Sequence, residues 1–284
     1  MRKLLTLISI VLLAIFGQMN LALAQDGTNE KKQRILFHAR LSNGTPILQD
    51  GVEWRIFDAD KSKSGNIEEL AFTVGGSKAF NIGPGDYLVH AAYGHAGAVR
   101  KITVLDQPAQ EELILNAGGL RLSATTTDNL PVPARMLRFE VFEDTINQNG
   151  ERRLIARDVR SDKVIALPVG TYHVVSRYGN LNASVRADLR VEPGKLTEAS
   201  LQHRAAQISF RLVRSSGGDA VADTAWSILT QNGEVIEESN SPFPRMVLAE
   251  GNYSAIAKHN EAVYSQDFRV RAGFNADVEV IAPN

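Results

Sequence analysis

A glycine–any–tyrosine phrase recurs three times at nearly equal intervals: Gly85-Asp86-Tyr87, Gly170-Thr171-Tyr172 and Gly251-Asn252-Tyr253, with the tyrosines 85 and 81 residues apart. A period this long is the length of a small domain, so the chain must solve the same folding problem three times over. The flanks repeat as well. Upstream of each phrase stand Trp54-Arg55-Ile56-Phe57, Phe139-Glu140-Val141-Phe142 and Trp226-Ser227-Ile228-Leu229, at aromatic-to-tyrosine separations of 33, 33 and 27. Each interval holds a glycine turn (Ser64-Gly65, Asn149-Gly150, Asn232-Gly233), whose glycine lies 11, 11 and 7 residues after the aromatic. Most of the shortening in the third copy therefore falls in one turn, where length change is tolerated.

The segments between these marks alternate apolar and polar residues and are rich in β-branched and aromatic side chains. They include Ile35 to Leu41, Leu120 to Ala124 and Ile208 to Val213 at the start of each copy. Later in the copies come Ala98 to Val104, Ala183 to Val191 and Val263 to Val270, then Glu112 to Leu115, Leu196 to Leu201 and Ala276 to Ile281. Period-two alternation broken by Asn-Gly and Pro-Gly reads as strand and turn throughout. Six or seven short strands per copy predict an all-β chain: three tandem immunoglobulin-like (prealbumin-like) antiparallel β-sandwich modules over 32–117, 118–204 and 205–284. A cysteine-free module of about 85 residues buries little surface alone. The joins, Asn116-Ala117-Gly118-Gly119 and Arg204-Ala205-Ala206, are too short for loose linkers, so the modules should support one another. The tyrosine of each phrase is expected to fold over a sheet corner and bond backbone upstream, with the glycine two residues earlier taking a positive φ. Trp54, Phe139 and Trp226 should fill the sandwich centres.

Residues 1–24 read differently. Met1-Arg2-Lys3, an apolar run from Leu4 to Phe16, and Ala22-Leu23-Ala24 form a basic region, a short apolar core and a small-residue cleavage site. The expectation is a signal peptide cleaved after Ala24, a linker over 25–31, and a mature chain in a bacterial periplasm. The apolar run is shorter than the roughly 20 residues that span a bilayer, and no later segment is long or apolar enough to do so. The 284 residues are 44% hydrophobic and 22% charged, with 31 basic and 32 acidic side chains. That balance offers no basic surface for nucleic acid. The absence of cysteine excludes disulfides, thiol catalysis, iron–sulfur clusters and cysteine-bound zinc.

No catalytic signature stands out. H-E-x-x-H, G-x-S-x-G, S-x-x-K and the phosphate-binding G-x-x-x-x-G-K-[ST] are missing. Among the six histidines only His90 and His95 could meet across a hairpin, and strand histidines read first as solvated. Asp58, Asp60, Ser62, Ser64, Asn66 and Glu69 imitate a calcium loop, but Lys63 stands where such a loop needs glycine, and a polar hairpin fits better. No cofactor and no metal are expected. Six residues after each corner tyrosine comes Tyr93-Gly94-His95, Tyr178-Gly179-Asn180 or His259-Asn260-Glu261. These are predicted hairpin tips, and Tyr93, His95, Tyr178, Asn180, His259 and Asn260 are the candidate binding residues, although Tyr93 and Tyr178 share the inward face of the corner tyrosines.

The opening Gly44-Thr45-Pro46-Ile47 before Gly51-Val52-Glu53-Trp54, with the later Gly83-Pro84-Gly85-Asp86-Tyr87-Leu88-Val89, resembles carboxypeptidase-regulatory-like, transthyretin-like and Cna-B-like sandwich modules. Copy two echoes this in Leu130-Pro131-Val132-Pro133 and Leu167-Pro168-Val169-Gly170-Thr171-Tyr172, while copy three keeps Gly251-Asn252-Tyr253. The whole chain is similar to alphaproteobacterial periplasmic proteins built from such modules. The resemblance implies non-catalytic spacers or binding units. The expected function is thus a non-enzymatic scaffold or protein-binding component of the cell envelope, whose partner is another envelope protein. Cell-wall carbohydrate held on Tyr93 and Tyr178 is the alternative, and an enzyme with a site between modules ranks below both.

Overall fold

The computed structural model describes residues 31–63, 68–127 and 129–283. The expected signal peptide at 1–24, residues 25–30 of the expected linker and the expected Ser64-Gly65 turn lie outside the described residues.

Module 1 comprises β1 (Gln33–Arg40), β2 (Val52–Asp58), the short helix α1 (Ala59–Lys63), β3 (Glu69–Gly75), β4 (Lys78–Ile82), β5 (Gly85–Tyr93), β6 (Ala96–Val104) and β7 (Ala109–Ile114). Module 2 runs through β8 (Ala117–Thr125), a 3-10 turn (Ala134–Met136), β9 (Leu137–Ile146), β10 (Arg152–Val159), β11 (Val164–Pro168), β12 (Gly170–Tyr178), β13 (Ser184–Val191) and β14 (Leu196–Gln202). Module 3 contains β15 (Ala205–Val213), β16 (Thr224–Thr230), β17 (Val235–Ser239), β18 (Arg245–Ala249), β19 (Gly251–His259), β20 (Ala262–Val270) and β21 (Ala276–Ile281).

The seven strands of every module form the same two sheets. One has four antiparallel strands, ordered β3-β2-β5-β6, β10-β9-β12-β13 and β17-β16-β19-β20. The other has three, ordered β4-β1-β7, β11-β8-β14 and β18-β15-β21. Antiparallel pairs dominate the sheets, as expected, with one parallel pair in each module. The first strand of each module lies between an antiparallel fourth strand and a parallel seventh, as in Ile35↔Ala109, Leu196↔Gly119 and Ile208↔Ala276. That parallel pair ties the two ends of a module together, because a parallel partner requires a long crossover, here the whole intervening chain.

The apolar faces meet as the alternation demands. Trp54, Phe139 and Trp226 are almost wholly buried in three separate clusters. Phe37 packs on Trp54 and Phe210 on Trp226, each with ring centroids 5.8 Å apart. The two tryptophans differ at their polar edge. Trp54 Nε1–H donates to the Gly76 carbonyl at 2.8 Å, whereas Trp226 Nε1 is buried with no partner among the described residues.

The segment that imitates a calcium loop begins as a helical turn within the antiparallel β2–β3 hairpin. Asp58 Oδ1 accepts the N–H groups of Asp60 and Lys61 at 2.9 and 3.0 Å, capping α1. The Lys61 N–H bond, foremost, holds the Asp58 carboxyl below its ordinary value. Glu69 is engaged by Arg55 at 2.8 Å.

Candidate interaction site

The corner tyrosines do the same thing three times. Tyr87 donates its hydroxyl to the Gly83 carbonyl at 3.1 Å, Tyr172 to Pro168 at 2.8 Å and Tyr253 to Ala249 at 2.8 Å. Each bond reaches four residues back and pins the start of the fifth strand to the end of the fourth. The glycines follow the expectation only in part. Only Gly85 has positive φ, at 149°; Gly170 and Gly251 are not in that region. What all three share is position beneath the ring: a Cβ would lie 3.5, 3.9 and 3.4 Å from the nearest tyrosine atom. An added Cβ would make only ordinary van der Waals contact with the ring, so space alone does not require glycine here.

The hairpin tips are used between modules. In module 1 the β5–β6 tip places Gly94 against Ala166 of β11, where an added Cβ would stand 3.1 Å from the alanine Cβ, and His95 N–H donates to the Ala166 carbonyl at 3.0 Å. In module 2 the β12–β13 tip places Gly179 against Val247 of β18, where a Cβ would stand 2.9 Å from the valine Cβ. Ala166 and Val247 occupy the same place, two residues before the carbonyl that receives the corner tyrosine. Modules 1 and 2 therefore each rest their tip on the fourth strand of the next module. Both glycines have left-handed φ, 62° and 71°, so the turn and the close approach require glycine together.

Backbone at the joins completes the contact. Val169 N–H donates to the Asn116 carbonyl at 2.9 Å, and Glu250 N–H to the Arg204 carbonyl at 2.8 Å. At the second junction Asn182 bridges directly: its Oδ1 accepts Ala249 N–H at 3.0 Å while its Nδ2 donates to the Tyr253 hydroxyl at 3.0 Å. Corner and junction are one network there. Ala117 belongs to the core of module 1, and Ala205 and Val247 to that of module 2, so apolar packing crosses both joins.

These placements change the reading of the candidate residues. Tyr178 is 5% exposed and lies edge-on to His203, with ring centroids 5.8 Å apart. Tyr93 is half-buried against its module core, its ring beside Gly51. Tyr178 presents no free face to a sugar, and Tyr93 is partly exposed. His95 donates its backbone N–H to the second module, while His90 lies on β5 opposite Arg55. Asn180 is exposed at the rim of the second junction, and His259 and Asn260 form the third tip, where Asn260 has φ 51°. Among the described residues no cluster of three or more histidine, aspartate or glutamate side chains could hold a metal.

One histidine runs against the solvated expectation. His203 is 1% exposed, and its Nε2 lies 2.7 Å from the hydroxyl of Ser176, itself fully buried. Burial pushes its pKa down to about 4. A serine beside a neutral imidazole has the makings of a nucleophile and base. Here both side chains are almost wholly buried, with His203 beneath a groove at the second junction. The equivalent positions hold Ala91 with Leu115 and Ala257 with Ala282, so no sequence motif marks the pair.

A groove of about 650 Å³ lies beside the first junction, lined by His95, Glu143, Asp144, Arg153 and Tyr172 among others. Glu143 is paired with Arg153, and that hydrogen bond holds its carboxyl below the ordinary carboxylate range. An ionised, paired glutamate is not poised for proton transfer near neutrality.

Residues 207–282 match the family model described as the Rhizobiales growth-associated tandem repeat domain. That stretch is almost the whole of module 3. No curated protein matches the chain. Among solved structures, a Streptococcal ancillary pilin is 13% identical, with 89% of this chain and 100% of that one covered at a TM-score of 0.33. The major pilin subunit of Bacillus cereus is 9% identical over 88% of this chain and 99% of that one, at 0.26. The Bacillus anthracis TIE protein is 14% identical over 89% of this chain, at 0.26, and the chain spans about half its length (51%).

Proposed function

We propose that the chain is an exported, non-catalytic scaffold of the cell envelope that holds protein partners and serves cell growth. The observation that carries this reading is the repeated junction. The first two hairpin tips, and at the second junction Tyr253 through Asn182, are engaged in fixing module upon module, which suits a body that presents surfaces at set distances. The resemblance to regulatory-like and Cna-B-like modules supports a spacer or binding role. The growth role rests on the description of the family that module 3 matches, and the envelope location on the signal sequence at 1–24. The third tip, His259-Asn260-Glu261, contacts no further module among the described residues and is the contact point we assign to a partner.

The test places a photo-cross-linking residue at Asn260 in intact cells, with Gly217 on an open turn as the control position. The expected outcome is a mature chain beginning at Gln25 in the periplasmic fraction and one recurrent protein adduct at 260 that is absent at 217. Retention in the cytosol, or equal adducts at both positions, refutes the proposal.

A further inference from the structure

In modules 2 and 3 the outer face of the four-stranded sheet mixes polar and apolar residues and carries the exposed Val235 and Val263. Its rows read Glu140–Val175–Arg186 and Phe142–His173–Asp188 in module 2, and Leu229–Ser254–Asp267 in module 3. Module 1 differs in gathering three large exposed apolar residues on one edge strand. Leu70, Phe72 and Val74 of β3 point outward at 44%, 50% and 49% exposure, and Val99 on β6 at 63%. They point outward because the register sets Ala71 against Ile56 and Thr73 against Trp54 on the buried side. β3 is also an edge strand: among the described residues only β2 pairs with it. It lies across the sheet from β6, which enters the junction with module 2.

Unpaired apolar edges invite a further strand, and proteins usually blunt them with bulges and charge. The equivalent edges do so. β10 has three register irregularities against β9 and carries Arg152, Arg153, Arg157 and Asp158, the last at φ 54°. β17 has five residues, a register shift and adjacent Glu237 and Glu238. β3 pairs with β2 in regular register from Ala71 to Gly75 and is uncharged from Leu70 to Gly75.

We propose that β3 is a homodimer edge, which a second copy of the chain joins in antiparallel register about a two-fold axis through Phe72. The strand is complementary to itself in that register. Phe72 meets Phe72 of the second copy, Leu70 meets Val74, Ala71 meets Thr73, and Glu69 and Glu68 meet Gly75 and Gly76. No like charges oppose, and every outward residue from Leu70 to Val74 finds an apolar neighbour. The same operation on β17 would set Glu237 against Glu237, and on β10 it meets the bulges. The Arg55 guanidinium, 4.5 Å above the Phe72 ring, and the Arg55–Glu69 ion pair stay within each copy. The result is one eight-stranded sheet with a closed, isologous interface.

This inference is independent of the scaffold proposal, and its failure leaves that proposal standing. The chain has no cysteine, so single cysteines report geometry without background. The mature three-module protein carrying Phe72→Cys should form a disulfide dimer rapidly, because the two sulfurs face each other across the axis. Leu70→Cys and Val74→Cys should each cross-link poorly alone, yet efficiently when mixed. Sedimentation of the cysteine-free protein should show a monomer–dimer equilibrium. Phe72→Glu should weaken it by about tenfold or more, by setting like charges opposite, with the melting curve of the monomer unchanged. A monomer at every soluble concentration overturns the proposal and leaves the edge to a strand from a different chain. Equal cross-linking at 70, 72 and 74 overturns it as well, since random collision would give that result.

Discussion

Acid should unfold the second module from the inside, through His203. The imidazole is buried against Ser176 and Tyr178, and its pKa falls from 6.5 to about 4 because burial penalises the charged form. A serine hydroxyl can donate to or accept from the ring, but it carries no charge to compensate a proton. The unfolded chain therefore binds that proton more readily than the folded one. The stability that the neutral ring provides is complete above the unfolded pKa of 6.5. It is lost as pH falls toward the folded value near 4, and the loss levels off below it. A difference of about 2.5 units at ~1.36 kcal/mol each amounts to about 3 kcal/mol. Urea unfolding monitored by circular dichroism between pH 7.5 and 3.5 measures it. The control is Ser176→Ala with His203→Leu, which copies the Ala91 and Leu115 pair of module 1 and keeps an apolar side chain of similar volume. Carboxylates titrate in both proteins, so the difference between the two curves isolates the histidine. That difference should grow by about 3 kcal/mol between pH 6.5 and 4. A constant difference across the range, or a His203 ring titrating near 6.5 by NMR, would refute the reasoning.

Three further outcomes are expected. Tyr253→Phe should destabilise more than Tyr172→Phe, by about 1 kcal/mol in chemical denaturation, because Tyr253 also receives the Asn182 bridge while Tyr172 makes the corner bond to Pro168. Gly179→Ala should cost more than Gly233→Ala: both have left-handed φ, worth about 1–2 kcal/mol, but only the Cβ at 179 meets Val247, while nothing lies within 4 Å at 233. Calorimetry should show modules 2 and 3 melting less cooperatively in the first variant alone. Trp226→Phe should cost about 1–3 kcal/mol less than Trp54→Phe, since the first removes a buried N–H with no partner among the described residues and the second breaks a bond to Gly76. Equal losses in urea titrations of the two variants would contradict this.

Much of the architecture was legible in the residues. Alternation, the glycine turns and the period mark nearly every strand, since a half-buried strand leaves a local trace in its own sequence. The corner tyrosine was legible for the same reason, because its bond closes over four residues. The short helix after Asp58 escaped notice because five residues are too few for a helical period to show. The hairpin tips were found, but their use was not. Gly94 and Gly179 look like open ends until Ala166 and Val247 arrive from the next module. The Ser176–His203 pair joins residues 27 apart on facing sheets, and nothing local announces it.

The sequence by itself determined the repeat, the all-β character and the corners, because each depends on neighbours along the chain. Tertiary structure decided which face each strand turns inward. On β3 the bulkier set, Leu70, Phe72 and Val74, would be placed inside on composition alone. The space beneath that strand is already filled by Trp54 and Ile56, so the smaller Ala71 and Thr73 go in and the large residues are left facing out.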